Sequence, residues 1–261
     1  MQTEPPVTQE GPDFDLSKIE YVEGFDDPLA NVVLVCSDKK ALRIHDYFLK
    51  THSLFFREML EAGTKGGPIG LDENSLLLEF IMTKVIGKRP AYSLLTRIAV
   101  VHSYAEGKDL ESLVRLHSVS EKYIFEQVGA FIRELIVEYA SDYPPLALRF
   151  AVNLDPPNEP IVRAALANFS NRMPHSFGGI FTVPYGDSPS TWCPAGWSLS
   201  QDYARGLGVD AYHAYVFATR QMDVNELYKW DWKTVTDLFV KSLKIAKRPG
   251  GEGKLAVYEA S

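Results

Sequence analysis

Cysteine is nearly missing from this chain, with Cys36 and Cys193 its only two. Far apart in sequence, they cannot make a disulfide scaffold. That usage is expected of a reducing intracellular compartment, cytoplasmic or nuclear. Basic residues are outnumbered, 27 Lys and Arg against 34 Asp and Glu, for a formal net charge of -7. Phosphate contacts need a basic surface, so no nucleic-acid partner is expected. No apolar run approaches the roughly 20 residues that span a bilayer, which argues against a membrane partner. The opening residues Glu4, Pro5, Pro6, Glu10, Gly11, Pro12 and Asp13 are acidic and broken by proline, unlike a signal peptide. No internal repeat is present, which argues against a solenoid or propeller.

What remains is ordinary globular composition, 46% hydrophobic and 23% charged over 261 residues. That length suits one large domain or two small ones. Residues 1–27 read as a flexible acidic leader, poor in apolar side chains. Val32 to Val35 is apolar at every position, as in a strand lying inside a sheet. After the polar turn Ser37, Asp38, Lys39 and Lys40, a second strand places Leu42 and Ile44 on one face and Ala41 and Arg43 on the other. Asp46 to Lys50 predicts a short helix, and Ser53 an N-cap for the next.

Ile69 and Leu71 predict a short strand. Asp72 and Asn74 offer caps to a helix over 75–86 that buries Leu77, Leu78, Ile81 and Val85, closed by Gly87. Helical spacing continues over about 91–105 and over 127–139. It resumes over 146–151 and 161–169. Residues 173–200 have no period and read as a long loop. Helices are expected at 201–207, 209–222 and 232–246, and a frayed tail over 247–261.

Chemistry-bearing residues are scattered. His45 ends a strand and is expected to bond neighbouring backbone, since no partner is spaced for metal binding or base catalysis. His52, His102, His117, His175 and His213 stand singly. Cys193 lies between Trp192 and Pro194, which match no nucleophile signature. In Gly63-Thr64-Lys65-Gly66-Gly67 the lysine precedes glycine, whereas a phosphate loop needs Ser or Thr there. Gly250-Gly251-Glu252-Gly253-Lys254 fails on the same ground. Lys241, Lys244, Lys247 and Arg248 read as a solvated helix end. Phe55 and Met59, four apart, are expected to be core. No cofactor or metal is implied.

One stretch carries a recognisable order: a strand with Val33, a strand ending in His45, then Leu49, Ser53, Phe56 and Met59. It resembles the opening of a BTB/POZ domain, in which Ser-x-x-Phe-x-x-Met comes after a strand-ending histidine and a helical leucine. Later, Lys122-Tyr123 is similar to the family's Lys-Tyr after an alanine-rich turn. Residues 140–170 resemble the segment after the core in some fungal members. The resemblance implies an α+β BTB/POZ fold over 28–140, a small sheet flanked by a helical cluster. A helical extension over 141–172 and an all-helical C-terminal region would come next.

The resemblance further implies a non-catalytic, self-associating scaffold or adaptor rather than an enzyme. Tyr47, Phe48, Leu49 and Phe56 lie where the family builds its homodimer face. It implies three uses: scaffolding, recruitment to a cullin-type ubiquitin ligase, and corepressor binding. Cullin-docking relatives carry an apolar-x-Glu triplet after the Phe-x-x-Met helix, but Glu61 to Gly66 has none, and Leu77-Leu78-Glu79 lies on the next helix. Repressor relatives carry an aspartate before Val-Val and a base after the histidine, where this chain has Asn31 and Asp46. A different class, an enzyme with its site in 173–200, is the remaining alternative.

Overall fold

The computed structural model describes residues 19–63, 67–102, 108–169, 201–219 and 231–246. Its sheet has four strands: β1 (Glu20–Tyr21), β2 (Val32–Val35), β3 (Lys40–Ile44) and β4 (Ile69–Gly70), in the order β1-β3-β2-β4. β2 and β3 form the expected antiparallel hairpin, Val32 opposite Ile44 and Val35 opposite Ala41. β1 runs parallel to β3 and β4 parallel to β2. Leu34, Ala41 and Leu42 are fully buried, so both faces of β3 are covered rather than one. On the face opposite Leu42, the Arg43 guanidinium lies 4.5 Å over the Tyr21 ring.

The leader expected over 1–27 is corrected from residue 19 onward. Val22 N donates to Ala41 O at 2.8 Å, Arg43 N donates to Phe25 O at 2.7 Å, and Val22 and Phe25 are buried. A two-residue strand held through backbone groups has no alternation to read. Residues 1–18 lie outside the described residues.

Six helices come next in order: α1 (Asp46–His52), α2 (Leu54–Glu61), α3 (Ser75–Val85), α4 (Tyr92–His102), α5 (Lys108–Lys122) and α6 (Glu126–Tyr139). Asn74 caps α3, its Oδ1 accepting from Leu77 N at 3.0 Å. Gly87, at φ 80, lies just beyond that helix, where a left-handed residue favours glycine. Leu49, Phe56, Leu78, Ile81 and Met82 are fully buried around the hairpin. Each contributes about 1.5–3 kcal/mol of transfer free energy.

The chain divides into two compact units, residues 1–103 with 115–132, and 104–114 with 133–261. The second unit contains α7 (Pro144–Asn153), α8 (Glu159–Phe169), α9 (Gln201–Leu207), α10 (Val209–Thr219) and α11 (Trp232–Ala246). Pro144 and Pro145 open α7, where a missing N–H costs nothing. Leu148, Leu166, Tyr215 and Phe239 are fully buried, and the buried Tyr203 donates its hydroxyl to Pro145 O at 2.8 Å. The described residues are therefore α+β and mostly helical, with a small four-stranded sheet. The loop expected at 173–200 and the tail at 247–261 lie outside the described residues.

Candidate interaction surface

Ser53 organises the region after the hairpin. Its extended backbone breaks the helix, and its N–H donates to Leu49 O at 2.9 Å, closing α1. Its Oγ accepts from Phe56 N at 3.1 Å, capping α2, and donates to Tyr123 O at 2.6 Å. The turn between α1 and α2 points Leu49 and Phe56 inward. Phe56 packs against the Tyr123 and Phe125 rings, with centroids 5.5 and 5.7 Å away.

Leu49 and Phe56 are thus core, which corrects their expected place on a dimer face. Tyr47 is 67% exposed and meets half-buried Phe48 edge-on at 5.7 Å, so these two can face a partner. Phe55, expected in the core, is instead 36% exposed, while Met59 and Val33 are half-buried. Phe55 sits one step round the helix from Phe56, on the solvent side. Periodicity places residues on a face but leaves open how far that face is covered.

His45 caps α1 through its carbonyl, which accepts from Phe48 N at 3.0 Å. Its ring, expected to bond backbone, has a carboxylate partner: Nε2 lies 3.2 Å from Asp27 Oδ2. Asp27 Oδ1 also accepts from Leu29 N at 2.9 Å. This backbone bond first, helped by His45, holds the Asp27 carboxyl below its usual range. Asn31 Oδ1 accepts from Asp46 N at 2.8 Å, and the Asp46 carboxylate pairs with Lys50 at 2.6 Å. That lysine, then Asn31, lowers the Asp46 carboxyl. Leu29, 81% exposed on the Asp27 turn, carried no sequence signal, because it falls between the supposed leader and the first expected strand.

A second feature is a cleft of about 270 Å³ lined by Thr51, His52, Leu54, Arg57, Ile124 and Gln127. Arg57 Nε donates to Lys50 O at 2.8 Å, which fixes the guanidinium. Ile124 is 38% exposed at φ 52, a left-handed conformation unfavourable for a β-branched side chain. Nearby, Lys122 bridges Asp72 at 3.0 Å and Glu73 at 2.8 Å, and the Tyr123 hydroxyl donates to Glu73. Burial, then this acceptor, raises the Tyr123 phenol. These bonds clamp the start of α3 to the end of α5.

Cys36 is buried, and desolvation, with Asp38 and Glu73 nearby, pushes its thiol up to about 12. His117 is buried with Nε2 3.7 Å from Glu121, and Lys244 of the expected basic run pairs with Glu159 at 2.6 Å. Cys193, His175, Lys247, Arg248 and the glycine-rich stretches at 64–66 and 250–254 lie outside the described residues. Among the described residues no three His, Cys, Asp or Glu side chains gather as a metal group, and no helix is long and apolar enough to cross a membrane. No family model matches this chain, and no curated protein matches it.

Proposed function

We propose that this chain is a BTB/POZ-type self-association module, a non-catalytic scaffold or adaptor whose first unit pairs with a second copy. The observation that carries the reading is Tyr47. A large aromatic 67% exposed beside half-buried Phe48 leaves apolar area that a partner would cover. The motif residues support the family resemblance through their roles: Ser53 joins two helices, Leu49 and Phe56 fill the core, and His45 caps α1. Sedimentation equilibrium of the full chain at micromolar concentration tests it. A reversible dimer is expected, and a monomer throughout that range overturns the reading.

A cullin-type adaptor is the second reading, favoured by the cleft beside α2. It is the weaker one, because Glu61 to Gly66 carries no apolar-x-Glu triplet and Leu77, the apolar member of Leu77-Leu78-Glu79, is buried in α3. Robust co-precipitation of a cullin would make it the first.

A further inference from the structure

We infer that the cleft between α2 and the start of α6 captures the carboxy-terminal residue of a partner peptide whose last side chain is apolar. The inference is independent of the self-association reading, which concerns the Tyr47 face. The lining belongs to the first unit: Thr51 and His52 in α1, Leu54 and Arg57 in α2, and Ile124 and Gln127 around the α5–α6 turn. Arg57 carries the argument. Its Nε donates to Lys50 O at 2.8 Å, which orients the guanidinium and leaves its two terminal nitrogens without an acceptor among the described residues. A planar fork held in this way matches a carboxylate, which it binds through two parallel bonds. The His52 and Gln127 side chains line the same cleft, again with no hydrogen-bond partner among the described residues.

Leu54 and Arg57 are three apart on α2, so an apolar wall and the guanidinium are neighbours, roughly 5–6 Å apart at their Cβ atoms. Ile124 supplies a second apolar wall, and the two are 44% and 38% exposed. The cleft holds about 270 Å³, just under the roughly 300 Å³ at which pockets for drug-sized molecules begin. That room suits one side chain and one carboxylate together. A chain-terminal residue carries both on a single Cα, whereas an internal acid needs a neighbouring residue to supply the apolar part. At φ 52 a glycine would fit the helix stop better than Ile124, and strain of that kind collects at ligand sites. Glu126 is the opposing charge in the lining, so its removal should strengthen capture.

The test is fluorescence anisotropy of the full chain with a labelled peptide, Gly-Ser-Gly-Ser-Val-Leu, bearing a free carboxyl end. Saturable binding tighter than about 1 mM is expected. The same peptide with an amidated end is expected to bind at least about tenfold more weakly, the scale of a lost hydrogen bond to a charged group. Arg57→Gln should match that loss, Ile124→Gly should weaken binding without loss of fold, and Glu126→Gln should tighten it. Lys88→Gln, which removes an exposed cation outside the cleft, should stay within about twofold. Circular dichroism confirms equal folding of each variant. Absence of saturation with the free-acid peptide overturns the inference, as does equal binding of its amide. An amidated peptide with an internal Glu-Leu pair that binds as tightly overturns the choice of a chain end. Equal losses for Arg57→Gln and Lys88→Gln would reveal general attraction by surface cations and overturn the site.

Discussion

Ser53 Oγ and the carbonyl of Tyr123, seventy residues apart, are joined by a 2.6 Å hydrogen bond inside the first unit. The same oxygen caps α2, so one hydroxyl couples the α1–α2 junction to the end of α5. Ser53→Ala removes a cap worth about 1 kcal/mol. It also strips a buried carbonyl of a donor, which costs about 1–3 kcal/mol. The expected loss is about 2–3 kcal/mol in urea unfolding followed by circular dichroism. All four tryptophans, Trp192, Trp197, Trp230 and Trp232, lie far along the chain from Ser53 and Tyr123, so circular dichroism is the readout chosen. A loss below about 0.5 kcal/mol, the level of an ordinary surface change, would show that this bond does not couple the helices.

Ile124 occupies the left-handed position that ends α5. Phe125 N donates to Ser120 O at 2.8 Å and Ile124 N to Glu121 O at 3.1 Å, the paired bonds of a glycine-type helix stop. The left-handed conformation costs a side-chain-bearing residue about 1–2 kcal/mol, more when β-branched. Against that, glycine adds about 0.5–1 kcal/mol of unfolded-state entropy. Ile124→Gly is therefore expected to raise the unfolding midpoint slightly, although it deletes apolar surface. Thermal unfolding that moves downward instead would mean that the packing of Ile124 outweighs its strain.

Capping chemistry was the part of this fold most legible in the sequence. Ser53, Asn74 and Gly87 hold the roles their residue types predict, because each acts through its nearest backbone. The hairpin and most helix spans could be read from period alone. Burial at the candidate surface could not, since Leu49, Phe55 and Phe56 share one apolar signature whatever covers them. β1 was invisible because the information that places its segment lies in backbone bonds, Val22 N to Ala41 O and Arg43 N to Phe25 O. Ile124 is the opposite failure: a residue type that argues against the conformation it adopts.

The thiol of Cys36 gives a pH-dependent test. Burial raises it from an ordinary 9.0 to about 12. A raised folded value favours the neutral thiol, so its contribution is complete below pH 9.0. Unfolded chains lose their proton first, and stability falls as pH climbs from 9.0 toward 12. In a Cys193→Ser background, Cys36 is expected to resist a thiol reagent at neutral pH until the chain is denatured. Cys36→Ala should flatten the decline above pH 9.0 seen by chemical denaturation. Rapid labelling of the native chain would contradict the buried placement.

In the second unit Glu159 links two cations: Lys244 at 2.6 Å and Arg163 at 2.8 Å, and Arg163 reaches Asp237 at 2.7 Å. The chain of charges ties α8 to α11. The Lys244 bond first, then Arg163, holds the Glu159 carboxyl below its ordinary 4.5. A depressed carboxyl contributes stability that is complete above 4.5 and lost as pH falls through the lower folded value. All four side chains are at least one-third exposed, so each pair is worth only about 0.2–1 kcal/mol. Glu159→Gln should therefore destabilise by about 1 kcal/mol at neutral pH and low salt. In about 1 M salt, where screening acts over roughly 3 Å, parent and variant should converge. They should converge again in acid, once the parent carboxyl is protonated. Tryptophan emission suits this measurement, because Trp232 opens α11, one of the two helices that the network ties together. A difference that survives both salt and acid would assign Glu159 a packing role in place of an electrostatic one.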